Sequence, residues 1–132
     1  MTGTQTGHYP YQAPIDAYGN GGFRFADMSH RGSLLCLPTG MHAWDVAAPE
    51  QLSIADFAQV ITAQEKIDVL FIGMGENIAP VSAELRAALR AHGIIVEGLS
   101  TGSAISSYNI LLAEQRAVAA ALIAVERPSR VR

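Results

Sequence analysis

Between residues 15 and 18, and again between 23 and 25, apolar and polar positions alternate, the two-residue period of strands with one buried face. Gly19, Asn20, Gly21 and Gly22 separate the two runs, and such residues tolerate the left-handed backbone of a tight hairpin turn. A β-hairpin is therefore predicted here. Residues 33–37 form a short continuous apolar run closed by Pro38 and Gly40, which reads as a buried strand. Residues 42–46 alternate and read as another. The first third of the chain is thus expected to be β-rich and locally antiparallel.

After Ser53 the period lengthens. Ser53 is placed to cap a helix, with Leu52 and Phe57 spaced as a hydrophobic staple and Asp56 in the first turn. Phe57, Val60 and Ile61 fall on one helical face. Residues 68–73 then run apolar into Gly73, as a strand covered on both sides does. A second helix is predicted over residues 82–92, with Leu85, Ala88 and Leu89 inward and Gly93 just past its end. Residues 94–97 read as the next buried strand and 101–116 as a third helix, with Ala104, Tyr108, Leu111 and Leu112 on one face. Residues 118–125 supply a last apolar strand. The order β-α-β-α-β predicts an α/β fold in three layers. Its central sheet is expected to be mixed and mostly parallel, flanked by helices, with the N-terminal hairpin as an appended antiparallel layer.

Composition sharpens the domain reading. The 132 residues fit one domain, 49% are apolar and 16% charged, and a core of that size needs no metal or disulfide. Residues 1–14 lack periodicity and are expected to be a flexible arm, 15–125 the domain, and 126–132 a polar basic tail. The net charge of −3 and the absence of a basic stripe on a predicted element argue against nucleic acid. Arg127, Arg130 and Arg132 crowd the tail and read as a solvated end. No apolar run reaches the ~18 residues of a membrane span, and the first dozen residues carry no lysine or arginine, so membrane insertion and a targeting leader are not expected and the cytoplasm is the default. Cys36, alone and in an apolar strand, is expected to be an inert buried thiol. The four histidines are scattered, so no metal and no cofactor are expected.

Two glycine-bearing turns invite chemistry. Gly98-Leu99-Ser100-Thr101-Gly102 matches the pattern of a nucleophile elbow between strand and helix, yet no histidine and no aspartate follow Ser100. Ser100 is read instead as a helix cap. Gly73, Gly75, Glu76 and Asn77 follow a strand as a dinucleotide loop would, but Ile78 stands where a third glycine belongs and Pro80 delays the helix. Ser100, Thr101, Gly102 and Ser103, with Ser106 and Ser107, gather hydroxyls at the start of the third helix, for capping or for a polar pocket. The candidate ligand crevice therefore lies between residues 73–77 and 100–107, at the ends of neighbouring strands. Arg24, flanked by Phe23 and Phe25, and Trp44 are the candidate partner anchors, since both residue types are favoured at interfaces. The alternative for Trp44 is that it is core.

A series of residues also resembles a known family. Gly21-Gly22-Phe23-Arg24-Phe25, Gly32-Ser33, Pro38, Trp44, Asp68-Val69-Leu70, Gly73 and Gly75, Leu85-Arg86, Thr101-Gly102, Tyr108-Asn109 and residues 111–114 recur in that order. They are similar to the small single-domain family that includes the mitochondrial respiratory complex I assembly factor 3 and the adipogenesis-associated domain protein. The resemblance implies a three-layer α/β fold, no catalytic residue and no cofactor, and action through protein contacts in building a membrane complex. Bacterial members resemble one another in an acid, a cysteine and an arginine at the start of the third helix. Here Ser100, Ile105 and Ser106 stand in that stretch, so a role resting on those groups is not carried over.

The sequence is thus read as a non-catalytic binding or assembly factor with a protein partner, for a respiratory or other membrane complex, and compatible with weak self-association. The alternatives are a small-anion or metabolite binder, or a small hydrolase or transferase using the same crevice.

Overall fold

A computed structural model describes residues 4–5, 8–63, 66–127 and 129–130. The strands, in chain order, are β1 (Thr4–Gln5), β2 (His8–Tyr9), β3 (Ala17–Gly19), β4 (Gly22–Phe25), β5 (Met28–Arg31), β6 (Ser33–Leu37), β7 (Gly40–Trp44), β8 (Val69–Gly73), β9 (Ile95–Leu99), β10 (Val118–Leu122) and β11 (Ser129–Arg130). The helices are α1 (Ala58–Thr62), preceded by a 3-10 turn at Ile54–Phe57, α2 (Ala83–Arg90) and α3 (Thr101–Ala113).

Local signals place most of these. Asn20 and Gly21 both hold positive φ between β3 and β4, the conformation of a tight hairpin turn. The Ser53 backbone amide donates to Asp56 at 2.9 Å, and Ser82 Oγ accepts from the Leu85 amide at 3.1 Å. Gly93, at φ +80, ends α2 while the Ile94 amide bonds back to the Leu89 carbonyl.

The larger sheet runs β2-β7-β6-β10-β8-β9. Its pairings from β2 through β7 and β6 to β10 are antiparallel, and only β10–β8 and β8–β9 are parallel. The sheet is mixed, as expected, with a smaller parallel share than expected. The reason is that β6 and β7 form a hairpin beside β10, so hairpin strands fill one half of the sheet and β-α-β units the other. β9 is also not covered on both sides. It is an edge strand, with Val96 buried and Ile95 59% exposed.

Side chains of this sheet feed two cores. On one face Leu35, Leu70, Ile72, Val96 and Ala121 pack with Phe57, Val60, Leu85 and Leu89 from the α1 and α2 side. On the other Leu34, Cys36, Phe71, Ala120 and Leu122 pack with Ala104, Ile105 and Tyr108 of α3 and with Phe23 and Phe25 of the smaller sheet. The result is three layers. β10, with alanine at three successive positions, is buried throughout; Ala120 faces α3, and Ala119 and Ala121 face the opposite core.

The smaller sheet, β1-β5-β4-β3-β11, exceeds the expected hairpin. Within the segment expected to be a flexible arm, Thr4–Gln5 pair with β5 and His8–Tyr9 with β7. Within the expected tail, Ser129–Arg130 pair with β3. Open strand edges offer unpaired amides and carbonyls, and terminal segments satisfy them. Residues 1–3 and 6–7 of the arm, and residues 128, 131 and 132 of the tail, lie outside the described residues. Among the described residues no helix is long and apolar enough to cross a membrane.

Cys36 is fully buried, and burial pushes its thiol far above the ordinary range; the Tyr108 hydroxyl, buried beside it, is pushed up likewise. Both groups therefore hold their protons in the folded protein at pH values where the unfolded chain releases them. Stability from this source is complete below the unfolded thiol pKa, near ~8.5, and falls as pH rises past it. Raising the pH from about 8.5 to 9.5 should cost about 1 kcal/mol, read from urea midpoints. A flat profile across that interval would contradict the burial argument. A thiol reagent should label Cys36 only after unfolding.

Candidate functional site

The turn after β8 and the start of α3 meet through one side chain. Thr101 is fully buried; its Oγ1 donates to the Ile123 carbonyl at 2.7 Å and accepts from the Gly75 amide at 3.0 Å. Its own amide donates to the Gly75 carbonyl at 2.8 Å. Gly73 makes this approach possible, because a Cβ there would sit 2.9 Å from Thr101 Cα. Gly73 and Thr101 thus join three strand ends. This is a fastener at the base of the candidate crevice.

Above it lies a cavity of about 230 Å³ lined by Tyr18, Gly75, Glu76, Ser100, Thr101, Gly102, Val125 and Arg127. Five of the eight residues expected at the crevice come together here. Gly73 lies beneath the floor, against Thr101. Asn77 faces a different and wider hollow with Glu50 and Ile78. The Ser103 amide donates to Ser100 Oγ at 3.3 Å, the helix cap expected of Ser100. Ser106 Oγ bonds back to the Gly102 carbonyl at 3.2 Å.

Sequence reasoning missed Tyr18, Val125 and Arg127. The Asn20 amide donates to the Glu126 carbonyl and the Gly21 amide to the Val125 carbonyl, both at 2.9 Å, which zips the end of the domain to the hairpin turn. That pairing carries Arg127, expected to be a solvated tail residue, to the crevice mouth. Tyr18 crosses from the smaller sheet so that its hydroxyl rests on Gly102, where a Cβ would collide with it. Alternation within residues 15–18 signals only that one face of the strand is covered, and nothing local says by what.

Chemically the crevice is modest. The Met74 amide is bonded to the Leu99 carbonyl and the Gly75 amide to Thr101, so the turn offers neither to an anion. The charges at the rim are Glu76 and Arg127, one of each sign. No histidine or aspartate lines it among the described residues, and no group of histidine, cysteine and acidic side chains is placed there to hold a metal.

The two partner anchors separate. Trp44 is 6% exposed, packs at 5.5 Å centroid distance on Phe57, and donates Nε1 to the Asp56 carbonyl at 2.7 Å. It takes the core alternative, because its side chain enters the core on the α1 side of the main sheet. Arg24 stays exposed between buried Phe23 and Phe25, and its Nη1 donates to Ser29 Oγ at 3.0 Å.

Residues 15–123 match the family described as "Protein of unknown function (DUF498/DUF598)". The chain belongs to the DUF498 family. Among its relatives is an uncharacterized protein of Rhodobacter capsulatus, 42% identical over 110 residues, with 83% of each chain covered. Another is human NADH dehydrogenase [ubiquinone] 1 alpha subcomplex assembly factor 3, 28% identical across 83% of this chain. This DUF498 chain spans between 57% and 67% of the length of the animal assembly factors it matches. A crystal structure described as an outer membrane protein from Bartonella henselae superposes with a TM-score of 0.85 at 50% identity. That match covers 90% of this chain and 100% of the other. The resemblance read from the sequence is thus to the right family.

Proposed function

We propose that this DUF498 chain is a non-catalytic, cytoplasmic assembly factor that acts by binding protein subunits of a respiratory or other membrane complex. The observation that carries the proposal is the shared domain: the human relative, named as a complex I assembly factor, aligns across 83% of this chain. The crevice supports it. Ser100 Oγ is held as a helix cap, Thr101 Oγ1 is committed to two backbone partners, and among the described residues no histidine lines the crevice to take a proton from either hydroxyl.

The test is deletion of the gene in its native host, with assembled respiratory complexes separated on native gels. Loss of a mature NADH-oxidising complex, restored by the wild-type chain, is the expected result. Unchanged complexes would remove the proposal. Ser100→Ala should restore assembly while lowering stability by about 1 kcal/mol, the usual worth of a serine cap. Failure of a folded Ser100→Ala chain to restore assembly would return the serine to a chemical role.

A further inference from the structure

β4 and β5 turn a second face outward, away from the core that Phe23, Phe25 and His30 enter. In their register Arg24 lies opposite Ser29, and Gly22 opposite Arg31. Arg24 and Arg31 are therefore diagonal neighbours on one exposed face. Between and beside them stand Gly19, Gly22 and Ser29, so the floor of the hollow, about 240 Å³, is mostly backbone. Among the described residues neither arginine makes an ion pair. Glu126 approaches from the Gly21 side without pairing with Arg31. Arg24 is steadied by Ser29, which takes one of the five N–H donors of its guanidinium and leaves the rest outward.

Diagonal neighbours in an antiparallel pair are about 7–8 Å apart. Side chains two residues apart on an extended strand are about 7 Å apart and point the same way. The two spacings match. We infer that this face docks an extended acidic segment of a partner protein, in which two carboxylates separated by one residue each meet one of the two arginines. Two guanidinium groups on a floor without side-chain bulk suit carboxylates, which they can bind with paired hydrogen bonds. The mutual repulsion of the two cations is relieved by such an occupant. The inference rests on the assembly-factor reading and names the chemistry of the partner segment.

The test uses the full chain, isotopically labelled, titrated with a blocked nonapeptide carrying Glu-Thr-Glu at its centre. Controls carry Gln-Thr-Gln, or two adjacent glutamates. Resonance shifts on β4 and β5 and at least tenfold tighter binding of the first peptide than of either control are expected. Arg24→Gln and Arg31→Gln should each weaken binding about tenfold without changing Tm, since both side chains are exposed. Equal binding of all three peptides, or indifference to both substitutions, overturns the inference. So does a result in which vesicles with anionic lipid, and not the peptide, bind in a manner lost in those variants. In the deletion strain the two failures separate. If the doubly substituted chain restores complex assembly, this face is not the docking site and the assembly role stands. If wild type itself is dispensable, that role falls.

Discussion

Thr101→Val should destabilise the protein by about 3 kcal/mol, the largest loss expected from removing a single atom's chemistry here. Valine nearly matches threonine in shape, so packing is kept and only the hydroxyl goes. The hydroxyl is fully buried and serves a carbonyl at 2.7 Å and an amide at 3.0 Å. After the substitution the Ile123 carbonyl and the Gly75 amide both lose a partner, and each unsatisfied buried group costs about 1–3 kcal/mol. Urea unfolding is the measurement, with the midpoint falling and the slope unchanged. Thr101→Ser keeps the hydroxyl and should lose about 1 kcal/mol, chiefly the buried methyl. If valine is tolerated within about 0.5 kcal/mol, the fastener assignment is wrong. Gly75 would then be free to serve a ligand, and the crevice would regain the amide that this bond withholds.

The same fastener shows what was legible beforehand. Glycines after one strand and hydroxyls before one helix were visible in residues 73–77 and 100–107, and so was the fact that two turns would be neighbours. Their use was not, because a hydroxyl that caps, fastens or binds has the same signature until its partner is known. Local rules served well where one element decides its own form: the cap at Ser100, the glycine end of α2, the turn at Asn20 and Gly21. They failed at β5. Its hairpin turn places Ala26 at φ +48 and Asp27 at φ +61, so the left-handed backbone is held without glycine and a single aspartate was the turn signal there to read. β9 read as a covered strand because its residues are apolar, although Ile95 is exposed; an apolar run does not tell a sheet's centre from its edge. The strands at Thr4–Gln5 and Ser129–Arg130 owe their form to distant edges, which no window around them contains. The missed crevice residues, Tyr18 and Arg127, belong to the same class. Each is carried in by pairing over a long sequence separation.

The segment leading into β3 depends on such a distant hold, and Asn109→Ala should release it at a cost of about 2 kcal/mol. The Asn109 side-chain amide mimics a neighbouring strand: Oδ1 accepts from the Ile15 amide and Nδ2 donates to the Ile15 carbonyl, both at 2.9 Å. Tyr108 donates to the Ala13 carbonyl at 2.7 Å from the same turn of α3, and Gln12 reaches the Val118 carbonyl at 2.8 Å. Ile15 itself is 1% exposed, so water cannot easily replace what alanine removes. The substitution should therefore speed hydrogen exchange at Ile15 before it affects the amides of β10. Asn109→Asp keeps the acceptor and forfeits the donor, leaving an anion against the Ile15 carbonyl; it should fall at least as far as alanine and recover partly at acidic pH, as the carboxyl protonates. Tyr108-Asn109 and Thr101-Gly102, the pairs that drew the resemblance, then have one physical meaning. Thr101 joins the strand ends, Gly102 leaves room for Tyr18, and the Tyr108-Asn109 pair ties residues 13–15 to α3. Equal exchange at Ile15 in wild type and Asn109→Ala would show that β3 is held by its own pairing with β4, and that the asparagine is incidental to it.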